Sequence, residues 1–167
     1  MLYRPTDQVV GSNDIVTVDL SPEFNTYWGD YARTLLVTNG KAIGEDELVN
    51  NNHECESELI NGVKIGVELH HIYKNHVKPE MTFEEVYLYM NEAISQHDYI
   101  NLDFIGNLGH TIEFNKDHRR YFELGNKTKL NEVELFTFEP HIKHKNGQYG
   151  FKREDIYYFR DGELVVI

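Results

Sequence analysis

Two aspartates, Asp19 and Asp30, stand eleven positions apart in the stretch DIVTVDLSPEFNTYWGDYARTLLV, residues 14–37. Ile15, Val16, Val18 and Leu20 before the first, and YARTLLV after the second, predict short strands on both flanks. Between them SPEFNTYWG, with Pro22, Asn25 and Gly29 as breakers, predicts an irregular turn. Strands joined this way pair most simply antiparallel, and a hairpin brings the two carboxylates together across the ladder. An unpaired carboxylate beside apolar sequence is costly, and two close carboxylates repel unless a proton or a cation lies between them. A divalent metal answers both needs. The plainer role for either residue is a turn or a cap, so the remainder of the chain has to decide.

Composition narrows the partners. With 167 residues, 40% of them hydrophobic, the chain has material for one core, and no linker divides it, so a single domain over 1–167 is expected. A formal charge of −12 with no basic stripe excludes nucleic acid as the main partner and suits cations. Cys55 is the only cysteine, which rules out a disulfide framework or a thiolate metal site and leaves oxygen and imidazole as ligands. No apolar run approaches the length of a membrane span and MLYRPTDQ has no signal-peptide core, so a cytoplasmic protein without membrane partners is expected.

Past a loop at Asn39-Gly40 and Gly44, the run from EDELV to YKNHV predicts one helix, with Leu59, Val63, Val67, Leu69, Ile72 and Tyr73 at helical spacing. Gly62 and Gly66 weaken it but permit close packing on a sheet. His70, His71 and His76 do not converge on a helix and are expected at the surface, near its C-terminal dipole. Pro79 breaks the chain, and Thr82 with Glu85 then forms a capping box that opens a helix with Phe83, Val86, Tyr87, Met90 and Ile94 on one face. Farther on, His110 enters a short extended stretch and His118 follows a polar turn. VELFTFEPHI predicts a strand ending at Glu139-Pro140, YGFKREDIYYF another carrying Glu154, and ELVVI a closing hairpin beyond Asp161-Gly162.

In chain order the candidates are Asp19, Asp30, His110, Glu139 and Glu154, all on or beside strands of one mostly antiparallel sheet. Four carboxylates and an imidazole form a hard, oxygen-rich set suited to two divalent cations bridged by carboxylates and a water. Such a pair lowers the pKa of the bridging water and polarises a carbonyl.

WGDYART around Asp30, the Gly109-His110 pair, FTFEP around Glu139 and GFKRED around Glu154, in this order, resemble the five-ligand signature of the pita-bread metallopeptidases. That group includes aminopeptidase P, prolidase, methionine aminopeptidase and creatinase. The resemblance implies an α+β pita-bread fold, a curved, mostly antiparallel sheet with helices on its outer face. It implies that Asp30 and Glu154 bridge two metal ions (manganese, cobalt, zinc or iron), that Asp19 completes one site, and that His110 and Glu139 complete the other. Glu139 would also shuttle the proton of the bridging water. His118 would stabilise the tetrahedral intermediate, and Arg33 would position its strand. The implied activity is removal of an N-terminal residue from a peptide substrate.

Three departures accompany the likeness. Glu113 stands where the family has a glycine, His118 comes one position late, and His141 replaces the glycine expected after Glu-Pro. The family also carries a segment before the first aspartate, whereas this chain reaches Asp19 almost at once, so a domain truncated at its N-terminus is expected. A truncated sheet exposes an edge or an apolar face, which predicts a homodimer. The competing reading is a catalytically inactive binding module of the same fold. A creatinase-like amidinohydrolase is disfavoured by the retained carboxylates.

Overall fold

A computed structural model of the chain describes residues 7–25, 27–50 and 57–167. The predicted hairpin is present. β1 (Asp14–Leu20) leads through a short ribbon, β2 (Glu23–Phe24) with β3 (Tyr27–Trp28), into β4 (Tyr31–Thr38). β1 and β4 pair antiparallel with Asp19 opposite Ala32. β5 (Lys41–Ile43) folds back onto β4, and α1 (Glu45–Asn50) and α2 (Ser57–His76) follow. The single helix expected here is thus described as two, and residues 51–56 lie outside the described residues.

α3 (Phe83–Gln96) begins at the capping box. The Thr82 hydroxyl accepts from the Glu85 amide at 3.2 Å, and Glu85 Oε2 accepts from the Thr82 amide at 2.8 Å. After it come β6 (Tyr99–Asn101), a long irregular stretch, β7 (Phe136–Phe138), β8 (His141–His144), β9 (Gly150–Arg160) and β10 (Glu163–Val166). VELFTFEPHI therefore splits at Pro140, which cannot donate to a ladder, into two strands that both pair with β9. The sheet has eight strands, in the order β1-β4-β9-β8-β6, with β5 on β4 and β7 and β10 on β9, and all described pairs are antiparallel.

β9 organises this sheet because its two faces do different work. Phe151, Arg153, Asp155 and Tyr157 face α2, whose buried stripe is Gly62, Val63, Gly66, Leu69, His70 and Tyr73. Lys152 and Glu154 consequently point to the opposite face, by the two-residue period of a strand. The apolar side is one cluster running from Leu36 to Leu164, in which the Tyr73 ring stacks on Phe138 at 4.0 Å. A fully buried apolar ring such as Phe138 contributes on the order of 1.5–3 kcal/mol.

His70 departs from the surface position expected for it. It is 5% exposed, its Nδ1 lies 2.8 Å from the Tyr157 hydroxyl and 3.2 Å from Asp155, and burial lowers its pKa to about 4 despite that carboxylate. The Asp155 carboxylate, which burial would raise, is instead held well below the usual range by His70 and Arg33. Arg33 also pairs with Glu45, so it braces β4 against α1 and β9. Among the described residues no helix is long and apolar enough to cross a membrane.

A Cβ on Gly62 would fall within the ring of Phe151, itself 2% exposed. Gly62→Ala should therefore destabilise the protein by about 1–3 kcal/mol through overpacking, outweighing the roughly 1 kcal/mol that alanine gains as a helix former. Urea unfolding checks this, and a more stable variant would mean that α2 does not lie this close to β9.

Candidate metal centre

Strand register assembles the site. Asp19 lies opposite Ala32 and Ala32 opposite Glu154, so one row on the face away from α2 reads carboxylate, methyl, carboxylate. Ala32 is fully buried and leaves space between the two acids. Asp30, two residues before Ala32, projects to the same face. On the other side of β9, Phe138 pairs with Asp155 and His141 with Lys152. That continuous register sets Glu139 beside Glu154.

His110 arrives from the irregular stretch. Gly109 makes the approach feasible, since its φ is +133° and a Cβ there would lie 2.5 Å from the Thr137 carbonyl oxygen. The His110 amide donates to Thr137 Oγ1 at 3.1 Å. Its Nδ1 faces the Thr111 carbonyl at 3.0 Å. A carbonyl only accepts, so Nδ1 carries the proton and Nε2 presents its lone pair to the pocket. Nε2 lies 3.5 Å from Asp30 and 3.9 Å from Glu139. Trp28 and Tyr121 flank the imidazole with ring centroids at 5.8 and 5.7 Å. The Arg119 guanidinium lies over both of those rings.

One ligand atom each from Asp30, His110 and Glu154 lie within 4.8 Å of one another. Both Glu154 carboxylate oxygens are buried and meet no donor among the described residues. An anion in that state is expensive, and a divalent cation held by two carboxylates and an imidazole removes the cost. The donor set therefore fits a metal. Asp19 and Glu139 also converge on the pocket, but their oxygens Oδ2 and Oε2 meet Lys152 Nζ at 2.8 and 2.9 Å. Burial alone would lower the lysine's pKa, yet Glu139 and Asp19 raise it well above the ordinary value, so the ammonium is fixed.

Two further histidines singled out in the sequence are not part of the Asp30, His110 and Glu154 group. His118 ends a short 3-10 turn and is exposed, and its charge acts on Glu113, whose carboxylate is bound by Arg120. His141 is half-buried beside the site, and burial followed by the Lys152 charge lowers its pKa. Sequence reasoning did not pick out Lys152, Trp28 or Tyr121. The parity of β9 was a signal for the first, because positions 152 and 154 must share a face.

Burial, then the charges of Glu139 and Asp30, push the Glu154 pKa up to about 9. Its value in the unfolded chain is about 4.3. The metal-free protein therefore holds a proton here at neutral pH, and the stability this provides is complete below about pH 4 and lost as pH rises toward 9. Metal must displace that proton. Titration of Mn²⁺ at pH 7 in buffers of different ionisation enthalpy should show release of close to one proton per ion, with Glu154→Gln releasing none. Binding without proton release would contradict the site.

The sequence profile of metallopeptidase family M24 matches residues 1–161. The methionine aminopeptidase of Helicobacter pylori (strain ATCC 700392 / 26695) is 29% identical over 154 residues, 86% of this chain and 53% of that protein. The prolidase of Thermococcus sibiricus has a similar structure, with a TM-score of 0.74 and 21% identity, over 99% of this chain and 40% of that one. Methionine aminopeptidase of Thermotoga maritima superposes with a TM-score of 0.68 at 15% identity, over 96% of this chain and 66% of that one. The chain thus spans about half the length of the curated relative it matches. Its curved antiparallel sheet with helices on one face is the pita-bread fold. With the profile covering nearly every residue, the chain belongs to metallopeptidase family M24.

Proposed function

We propose that this chain is the catalytic part of a metal-dependent aminopeptidase of the aminopeptidase P and prolidase type, which removes the N-terminal residue of a peptide. The observation that carries the reading is the meeting of Asp30, His110 and Glu154, the last with a carboxylate that has no donor among the described residues. A bound divalent ion would supply polarisation of a water and of the scissile carbonyl. Manganese, iron, cobalt and zinc all suit two carboxylates and one imidazole.

The protein's own groups divide the remaining work. Glu139 is anchored through Oε2 to Lys152, which leaves Oε1 on the His110 side of the pocket. There Oε1 can accept the proton of an attacking water and return it to the leaving amine. His110 is locked in the tautomer a metal needs by the Thr111 carbonyl. Trp28 and Tyr121 wall the imidazole with apolar surface and keep bulk water from that side. A binding module with no catalytic duty has no need of the unpaired Glu154, so the retained ligand set weighs against that alternative.

Released amino acids from a panel of short peptides with Met-Xaa and Xaa-Pro N-termini, in Mn²⁺ or Co²⁺, test the proposal. The wild-type chain should be active, and Glu139→Gln should lower kcat by about 100-fold or more. Metal affinity should change little in that variant, because the three ligands remain. No release by the wild type under any metal would refute the activity.

A further inference from the structure

The pocket holds two unequal halves. In one, Asp30, His110 and Glu154 face each other, and among the described residues both Glu154 oxygens lack a donor although the Lys152 charge acts on that carboxylate. In the other, Asp19 and Glu139 are bridged by the Lys152 ammonium at 2.8 and 2.9 Å, on a side chain only 14% exposed. We propose that Lys152 is the resident cation of the Asp19–Glu139 half, so that the site takes one divalent ion, at Asp30, His110 and Glu154, in place of a pair. This rests on the metallopeptidase reading and deepens it.

Lys152 is built into this position. Its amide donates to Thr34 Oγ1 at 2.8 Å, the same hydroxyl lies 3.2 Å from the Lys152 carbonyl oxygen, and Thr17 Oγ1 meets it at 3.0 Å. The strand parity that points Glu154 into the pocket points Lys152 there as well. An ammonium with two carboxylates in a partly buried setting is retained, because removing it would strand two anions. It also engages one oxygen of each acid that a second ion would require. A divalent ion placed between the same acids would meet the ammonium as a like charge in a pocket of low dielectric.

The charge balance agrees. Asp19, Asp30, Glu139 and Glu154 carry four negative charges when ionised, and Lys152 with one divalent ion returns three of them. Only one half of the pocket has unmet demand, and that half has ligands for one ion. In this arrangement Lys152 is a positioning residue. It holds Glu139 by Oε2 and leaves Oε1 on the side of the metal half.

Metal content after dialysis against Mn²⁺, isothermal titration and electron paramagnetic resonance test the proposal together on the folded full chain. The wild type should bind one ion and give the signal of uncoupled Mn²⁺. Lys152→Met should bind a second ion and show the spectrum of a coupled pair. Its metal-free form should melt below the wild type and gain more from added Mn²⁺. Lys152→Arg, which keeps the charge, should stay at one ion. Two ions in the wild type would overturn the proposal while leaving the metallopeptidase reading intact, and this arm stands even if Lys152→Met does not fold. One ion in a folded Lys152→Met would overturn the role of the lysine. No ion in wild type or variants would overturn the metal reading and the proposal with it.

Discussion

The Glu154 carboxylate is the constraint on which the structure of this protein turns. It is 1% exposed, has no donor among the described residues, and lies near the charges of Glu139 and Asp30. A chain that merely needed to fold would not keep such a group, because an apolar residue of similar volume would cost less. The Asp30 carboxylate and the His110 lone pair reach the same face as Glu154, and together the three offer donors that could hold a divalent cation.

The opposite face of the same strand solves a different problem with similar residues. Arg33 and Arg153 meet Glu45 and Asp155 there, and His70 closes the group from α2. Each charge on that side has a protein partner, so the network is structural. The alternation of β9 keeps the two sets apart: Arg153 and Asp155 are neutralised beneath the helix, while Glu154, between them in sequence, is left to the pocket. Paired strands thus hold the carboxylates of the pocket, since Asp30 precedes a strand paired on both sides, Glu154 lies within β9 and Glu139 lies between two strands paired to it. A metal site needs that rigidity in its surrounding shell as much as in its ligands.

Much of this was legible before any coordinates. The hairpin followed from the strand signals around Pro22 and Gly29, and the capping box at Thr82 and Glu85 fixed the start of α3. Asp30, His110 and Glu154 were three of five candidates read from charged side chains on or beside apolar strands and from the resemblance, and these three lie together. What failed was tertiary. His70 reads as one of three surface histidines until α2 is laid on β9, where the buried stripe of Gly62, Gly66 and Leu69 turns it inward. The pairing of Lys152 with Asp19 joins residues 133 apart, and no local pattern reports such a contact. The second strand beyond Pro140 escaped notice because HIKH is short and mostly polar.

The central claim is that three side chains from distant parts of the chain converge on a cation. Anomalous diffraction at the manganese edge from crystals equilibrated with Mn²⁺ tests it most directly. The account predicts a strong peak at bonding distance, about 2 Å, from Asp30, His110 Nε2 and Glu154. A pocket without such a peak at saturating Mn²⁺, or one whose carboxylates turn out toward solvent, would contradict it.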